Sequence, residues 1–334
     1  MVERMRAALR DGNGGIRIGQ VPDAAVRRPT DAVVRVLLSA VCGTDLHGYQ
    51  GGPAIPPGPR AGHEFLGMVT DTGTEVRLLQ PGDIVLAPFM WADGRCAACR
   101  SALPSSCPEG GMWGGDHDGG QAEAVRVPYA DATLVRLPVT EDDERLPALL
   151  SLADVMVTGL HAVRNANVTD GRDVAVIGDG AVGLCAVLAA RRAGAGRVRL
   201  LGHHRSRLRL AERFGAEPVT DPAEVRNVAA VLECTGSPAG VSTALDVVND
   251  GGVLALVGAP QGGIGDLAPI FLRNLTVTGG LTPARALIPM LLDDVLAGRL
   301  DPSPIFDCTV ALDDIAVAYR AMADRAAIKA LIRP

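Results

Sequence analysis

The feature of this sequence that most constrains its fold is a glycine-rich turn between a short apolar run and an alanine-rich run. The segment reads Val174-Ala175-Val176-Ile177-Gly178-Asp179-Gly180-Ala181-Val182-Gly183. A buried strand, a G-x-G-x-x-G turn and a helix in direct succession are typical of a dinucleotide-binding unit. Gly178 permits the tight turn, Gly180 lets a pyrophosphate approach the backbone, and Gly183 allows close packing of helix on strand. The amides that begin the helix, at Ala181 and Val182, are expected to face the phosphates.

The same alternation of apolar strand and Ala/Leu-rich helix extends through the middle of the chain. It predicts strands at 174–178, 198–201, 229–233 and 253–257, and helices at 181–193, 206–214 and 239–248. This order is typical of a doubly wound parallel sheet in an α/β protein. We therefore predict that residues 146–286 form one such domain.

The two ends of the chain have a different texture. Short β-like runs at 33–41, 65–70, 83–87 and 122–127 are separated by Gly and Pro, which predicts an irregular, mostly antiparallel domain over residues 1–145. The tail predicts helices near 284–296 and 312–322 and a last strand at 328–332. We place residues 287–334 back with the first domain. A length of 334 residues is long for one core, which also favours two domains.

Composition excludes several classes of partner and location. A net charge of −6 and only 3% aromatic residues argue against a nucleic-acid partner. There is no run of about 18 apolar residues, so no membrane span is expected. The charged first residues do not resemble a secretion signal, and three of the seven cysteines are bunched at 96, 99 and 107. That pattern predicts metal ligands or free thiols in a cytoplasmic protein rather than disulfides.

The identity of the dinucleotide is usually set about twenty residues after the glycine turn, where an acid holds the adenosine ribose hydroxyls. Here Gly202 stands at that place, followed by His203-His204-Arg205-Ser206-Arg207. A glycine leaves room for a 2′-phosphate, which Arg205, with His203, His204 or Arg207, can hold. The sequence therefore favours NADP over NAD. The alternative is that these residues are only the solvated start of a helix.

A second group of chemically informative residues lies between positions 41 and 67. Cys42 stands in Val41-Cys42-Gly43-Thr44-Asp45-Leu46-His47, and His63 and Glu64 stand in Ala61-Gly62-His63-Glu64-Phe65-Leu66-Gly67. A thiolate and an imidazole are ligands that zinc prefers. These two ligand types do not by themselves complete a site.

Taken together, these segments resemble the zinc-containing alcohol dehydrogenases of the medium-chain dehydrogenase/reductase superfamily. Gly62-His63-Glu64-x-x-Gly67-x5-Gly73-x-x-Val76 matches the signature of that family. The Cys42 segment, the glycine turn, Glu233-Cys234-Thr235-Gly236 and the closing Ile328-Lys329 agree with it, so that the resemblance covers essentially the whole chain. It implies a GroES-like, mostly-β catalytic domain built from both chain ends, a Rossmann domain between them, and an active site in the cleft.

The resemblance also implies a catalytic zinc. Cys42 and His63 match two of its ligands, and Asp154, in a segment just before the Rossmann domain, matches the third. Glu64 is expected to ligate directly or to lie beside the ligands. Three protein ligands with an exchangeable fourth position are characteristic of a catalytic zinc. Taken singly, Cys42 is more often a small buried hydrophobe and Asp154 an ordinary helix-start residue.

Four further roles follow from the same resemblance. Thr44 matches the hydroxyl that hydrogen-bonds the substrate oxygen, and His47 matches the histidine that passes the proton outward through the cofactor ribose. Thr158 resembles the residue that packs on the nicotinamide. Lys329, the only lysine in the chain, aligns with a basic residue that contacts the pyrophosphate; the alternative is an ordinary surface cation.

A second cluster resembles the structural-zinc lobe of the family, which normally carries four cysteines. Here Asp93 replaces the first of them, before Cys96, Cys99 and Cys107. Either Asp93 completes an Asp/Cys₃ tetrahedron or the lobe lacks metal, and we favour retention of a second zinc.

The function predicted from this sequence is hydride transfer between NADP, or less favourably NAD, and an alcohol, polyol, ketone or aldehyde. A homodimer or homotetramer is expected by analogy with relatives. Two alternatives stay open at this point. One is a zinc-free quinone or enoyl reductase of the same superfamily, and the other is a non-catalytic nucleotide-binding protein.

Overall fold

In the computed structural model, which describes residues 4–11, 14–49, 60–115, 117–226, 228–263 and 265–334, the chain divides into two units. The first comprises Met1–Asp154 and Pro283–Pro334, and the second comprises Val155–Thr282. The predicted boundaries, 145/146 and 286/287, therefore differ from those observed. The reason at the first boundary is that the helix at Leu146–Leu150 packs against two strands of the first unit, with Leu149 and Leu150 fully buried.

The first part of the first unit is mostly β-structure. Its elements are β1 (Arg4–Arg10), β2 (Ile16–Pro22), β3 (Ala32–Val41), α1 (Asp45–Tyr49), β4 (Glu64–Thr72), β5 (Ile84–Ala87), β6 (Met90–Trp91), α2 (Ala97–Arg100), β7 (Gly111–Met112), β8 (Ala124–Val127), α3 (Ala130–Thr133), β9 (Val135–Leu137) and α4 (Leu146–Leu150).

The second unit alternates strictly between helix and strand over most of its length. Its elements are α5 (Val155–Asn165), β10 (Val174–Ile177), α6 (Ala181–Arg192), β11 (Val198–Leu201), α7 (Arg205–Arg213), β12 (Glu217–Val219), β13 (Val228–Glu233), α8 (Pro238–Val247), β14 (Val248–Leu256), α9 (Ala268–Leu272) and β15 (Thr276–Gly279).

The strands of this second unit form one parallel six-stranded sheet in the order β12-β11-β10-β13-β14-β15. This is the strand order of a dinucleotide-binding Rossmann fold. β10 is buried at all four positions, as expected for a central parallel strand covered on both faces. The α/β fold predicted from the alternation of strand and helix is confirmed.

The tail then returns to the first unit with α10 (Ala284–Leu287), α11 (Pro289–Leu296), β16 (Phe306–Ala311), α12 (Ile315–Ala323) and β17 (Lys329–Arg333). The predicted helix over 284–296 is two short helices, which meet at Pro289. Proline lacks the amide hydrogen that would continue the first helix and is favoured where a new helix begins.

The main sheet of the first unit has the order β16-β17-β3-β4-β5-β9, and β8 also pairs with β3. β17 pairs with β3 so that Ala330 lies opposite Val41, and β4 pairs with β3 so that Glu64 lies opposite Ala40. Three chain segments that are far apart in sequence are thereby brought together at the end of β3. Cys42 follows directly after that end.

Among the described residues, no single helix is both long and apolar enough to cross a membrane. One bent pair of helices, Leu146–Ala153 with Val155–Asn165, meets the length and composition requirement jointly.

Candidate functional site

The first candidate site lies at the end of β3 and contains a thiol, an imidazole and two carboxylates. One ligand atom from each of Cys42, His63, Glu64 and Asp154 lies within 4.8 Å of the others. Asp154 Oδ2 is 3.5 Å from Cys42 Sγ and 3.3 Å from His63 Nε2. Asp154 follows the short 3₁₀ turn Ser151–Ala153 after α4, and its carboxylate meets Cys42, which is 112 positions earlier in the chain.

The pKa values around this cluster are shifted by burial and by neighbouring charges. Burial and the carboxylate of Asp154 raise the pKa of the Cys42 thiol. Burial lowers the pKa of His63, but Asp45 and Cys42 oppose it and hold that pKa well above its usual value. Carboxylates are thus the neighbours that set the protonation of both the thiol and the imidazole. A divalent ion is the group that lets the thiol ionise and the imidazole bind as a neutral ligand.

Asp45 orients His63, a role that the sequence-based prediction missed. Its Oδ1 lies 3.5 Å from His63 Nδ1, and its Oδ2 accepts the backbone amide of Cys42 at 3.0 Å. Asp45 is 2% exposed. A carboxylate on the far nitrogen of a metal-ligating histidine fixes the ring and its tautomer. The signal in the sequence was an acid three residues after the cysteine, at the start of a helix.

Glu64 forms a buried ion pair with Lys329, a contact that the sequence-based prediction did not include. Lys329 Nζ lies 2.5 Å from Glu64 Oε1 and 3.3 Å from the carbonyl oxygen of Val41, with the lysine 1% exposed. Burial lowers the pKa of Lys329, but the carboxylate of Glu64 more than compensates and raises it. Lys329 is therefore not a surface cation, and its contact with a pyrophosphate stays a prediction. The pairing of β17 with β3 places it beside the donor cluster.

The donor set fits zinc. Thiolate, imidazole and carboxylate are all ligands of this ion, and three of them with a variable fourth position are typical of a catalytic centre. Within the described part of the chain, Glu64 Oε2 is buried without a hydrogen-bond partner. A buried acceptor of this kind is costly unless something satisfies it, and a metal ion does so.

The two residues predicted to handle the proton differ in their exposure. Thr44 Oγ1 lies 3.4 Å from His63 Nε2 and is half-buried beside the donor cluster. His47 lies on α1 and is exposed. Thr44 is therefore placed next to the donor atoms, and the relay role of His47 stays a prediction.

The second cluster is the predicted structural lobe. Ligand atoms of Asp93, Cys96, Cys99 and Cys107 lie within 4.8 Å of one another. Asp93 Oδ1 is 3.3 Å from Cys99 Sγ and 3.4 Å from Cys107 Sγ, so the carboxylate occupies the place of a fourth thiol. Backbone amides of Arg95 and Cys96 hold the pKa of Asp93 well below its usual value, and burial raises the pKa of Cys99 to about 12. An Asp/Cys₃ set fits a structural zinc.

The glycine turn has the geometry that a pyrophosphate site needs. Gly178 has φ +108°, a conformation that glycine adopts readily. A Cβ on Gly183 would lie 1.9 Å from the Gly178 carbonyl oxygen, so only glycine permits this packing of α6 on β10. A Cβ on Gly180 would meet no described atom within 4 Å, and no described side chain caps α6 there. Ala181 and Val182, both half-buried, begin α6 behind this open space.

The space beside Gly202, in contrast, is filled. A Cβ on Gly202 would lie 2.5 Å from the Cβ of Asp179 and 2.6 Å from its Oδ2. Asp179 also accepts the amides of His203 and His204 at 2.7 and 2.8 Å. Asp179 therefore occupies the volume that a side chain at position 202 would take, and room for a 2′-phosphate beside Gly202 stays a prediction.

The basic residues after Gly202 divide into two groups. His204 Nδ1 lies 3.0 Å from Asp179 Oδ2, and Arg207 lies 3.7 Å from Asp179 Oδ1. Arg205 and His203 are exposed.

Thr158 is buried on α5, and its contact with a nicotinamide stays a prediction.

Comparisons with known proteins agree with both units. The family profile described as "Alcohol dehydrogenase GroES-like domain" matches residues 28–139, and "Zinc-binding dehydrogenase" matches residues 181–296. A Mycobacterium tuberculosis protein described as a probable zinc-binding alcohol dehydrogenase is 35% identical over 332 residues, covering 94% of this chain and 84% of that protein.

Two solved structures are similar over nearly the whole chain. The alcohol dehydrogenase of Thermus sp. ATN1 has a TM-score of 0.93 at 31% identity, covering 99% of this chain and 100% of that one. A Sinorhizobium meliloti protein described as a zinc-binding dehydrogenase, with NADP bound, has a TM-score of 0.86 at 28% identity, covering 99% and 100%.

Proposed function

The chain belongs to the zinc-containing alcohol dehydrogenases of the medium-chain dehydrogenase/reductase superfamily, and from this premise we propose what it does. The protein transfers a hydride between a nicotinamide dinucleotide and an alcohol, polyol, ketone or aldehyde. The observation that carries the proposal is the cluster of four donor residues, Cys42, His63, Glu64 and Asp154, with ligand atoms within 4.8 Å of one another.

Each residue around that cluster has a definable task. Asp45 holds the ring of His63 in one orientation, and Lys329 holds one oxygen of Glu64. When bound, zinc supplies a Lewis acid that stabilises negative charge on a substrate oxygen. The hydroxyl of Thr44 forms a hydrogen bond with that oxygen. His47, which is exposed on α1, passes the proton to solvent.

Two features bear on the choice of dinucleotide. The sequence favours NADP, and the exposed guanidinium of Arg205 supports that preference. The carboxylate of Asp179, in the space beside Gly202, weighs against a 2′-phosphate. Comparing kcat/KM for NAD and NADP tests the preference, and an advantage of about tenfold for NAD would contradict the prediction of NADP.

The two alternatives have less support. A zinc-free reductase does not require a buried set of thiol, imidazole and carboxylate groups. A non-catalytic nucleotide-binding protein does not require the hydroxyl of Thr44 beside that set. The cytoplasmic location and the homo-oligomeric state remain predictions from the sequence.

The test combines metal analysis with an activity screen. Purified protein is assayed for zinc and for the change in nicotinamide absorbance with alcohols, polyols, ketones and aldehydes, each with NAD and NADP. Cys42→Ala should abolish turnover, whereas Cys308→Ala, at a half-buried thiol outside both clusters, should retain it. A zinc-free protein without turnover on any substrate would refute the proposal, and full activity of Cys42→Ala would refute the metal role.

A further inference from the structure

The side chain between the first two glycines of the turn lies at an unexpected place. Asp179 follows β10, yet its carboxylate lies beside Gly202, which follows the neighbouring strand β11. We propose that Asp179 takes the part of the ribose-binding acid that position 202 lacks, and that it selects for NAD and against NADP. This inference rests on the proposed function only in assuming that the second unit binds a nicotinamide dinucleotide.

The side chain of Asp179 occupies the volume that a side chain at position 202 would need. In a dinucleotide-binding fold, an acid at the end of the second strand projects toward the adenosine ribose and accepts its 2′-hydroxyl. A Cβ at position 202 would lie between 2.5 and 2.8 Å from the Cβ, Cγ and Oδ2 of Asp179. Two side chains cannot share this volume. The carboxylate of Asp179 therefore lies at the position from which an acid at 202 would project, although it comes from the first strand rather than the second.

The carboxylate of Asp179 is held in place by hydrogen bonds and is charged. Its Oδ2 accepts the amides of His203 and His204 at 2.7 and 2.8 Å, and the residue is 7% exposed. Burial raises the pKa of Asp179, but the hydrogen bonds from His204 and His203 outweigh it and lower the pKa below its usual value. Asp179 is thus an ionised, preorganised acceptor at neutral pH.

The hydrogen-bonding groups near Asp179 suit the ribose hydroxyl of NAD better than the 2′-phosphate of NADP. Asp179 Oδ1 lies 3.0 Å from His204 Nδ1 and 3.7 Å from Arg207, so it has remaining capacity to accept a ribose hydroxyl. A 2′-phosphate would instead meet an anion. It would also find the backbone amides of His203 and His204, which precede α7, already bonded to Asp179. Arg205 is the exposed cation left to attract the phosphate.

The experiment measures dissociation constants for NADH and NADPH by fluorescence titration of the full-length protein, which needs no turnover. Asp179→Asn keeps the shape and removes the charge. We expect the ratio of affinities to shift toward NADPH by about tenfold or more, as the loss of one charge-assisted hydrogen bond and one repulsion implies. Asp173→Asn is the matched control, because Asp173 precedes the same strand and pairs with Arg199. The ratio of NADH to NADPH affinity in Asp173→Asn should equal that of the unsubstituted protein.

A second variant covers the case in which Asp179→Asn does not fold. Asp179→Gly combined with Gly202→Asp moves the carboxylate from one strand to the other, and it should bind NADH in preference to NADPH. An unchanged ratio in Asp179→Asn, or a shift toward NADH, overturns the inference. The shift toward NADH would show that Asp179 serves to position His204 and Arg207 for a 2′-phosphate. Dinucleotide binding without turnover on any substrate would refute the proposed function and leave this inference standing.

Discussion

Lys329 Nζ lies 2.5 Å from Glu64 Oε1, and the two side chains are 1% and 0% exposed. The residues are 265 positions apart and meet because β17 and β4 pair with opposite sides of β3. The lysine therefore neutralises a carboxylate that lies beside Cys42, His63 and Asp154. One oxygen of Glu64 is held by this pair, while the other is the buried acceptor without a described partner.

Lys329→Met should destabilise the first unit, because it leaves the charge of Glu64 buried without a partner. Breaking a buried pair costs about 3–5 kcal/mol, which urea unfolding followed by circular dichroism would detect. The double variant Lys329→Met/Glu64→Gln should recover part of that loss, since neither charge remains. A single variant as stable as the unsubstituted protein would contradict this account of the pair.

Asp45→Asn should weaken zinc binding at the catalytic cluster by about 10- to 100-fold, because an amide holds the His63 ring less well than a carboxylate. Competition with a chromophoric chelator measures the affinity. Asp31→Asn is the control: Asp31 is also fully buried in the first unit and pairs with Arg126 at 2.9 Å. That change should lower stability and leave zinc affinity unaltered. Equal zinc affinity in the two variants would contradict the orienting role of Asp45.

Zinc content should be two ions per chain, one for each four-residue cluster. Asp93→Ala removes one donor of the second cluster and should reduce the content toward one while turnover continues. Cys42→Ala should reduce it toward one and abolish turnover. Mass spectrometry of dialysed protein gives the number. A content of one ion in the unsubstituted protein would show that the Asp/Cys₃ lobe folds without metal.

Thr44→Val should lower kcat by about 10²-fold or more, the range for losing one group that handles a proton in the transition state. Thr44→Ser keeps the hydroxyl and should retain most of the rate. Both variants should keep the zinc content, because Thr44 is not among the four donors. If valine and serine behave alike, the hydroxyl has no role in the reaction.

Gly180→Ala and Gly183→Ala should separate binding from folding. A Cβ at 180 meets no described atom within 4 Å, and Gly180 has φ −75°, so this variant should fold normally. The methyl group nevertheless takes the space that a pyrophosphate needs, and dinucleotide affinity should fall. A Cβ at 183 meets the Gly178 carbonyl oxygen at 1.9 Å, so that variant should also lose thermal stability. Unchanged dinucleotide affinity in Gly180→Ala would place the phosphates elsewhere.

Much of the fold followed from local patterns. The alternation of strand and helix between 174 and 257 predicted the parallel sheet, because the periods of side-chain burial differ between the two element types. The boundary predicted at 145/146 differs from the observed one, because the apolar residues of a short helix such as α4 do not specify which surface they cover. Only the packing of α4 on β3 and β4 decides which surface it covers.

The candidate sites show the same division. Residue type and family spacing predicted the candidate donors, namely Cys42, His63, Glu64, Asp154 and the Asp93 lobe, and in the structure the ligand atoms of each set lie close together. The sequence by itself also determined the glycine turn, since the backbone conformation of Gly178 is a local property. The side chains around these donors and around the turn became known only from the folded structure, in which Asp45 contacts His63, Lys329 contacts Glu64, and Asp179 lies beside Gly202. These contacts depend on strand register and on which of two side chains fills a shared volume. Neither can be predicted from the local pattern of one segment.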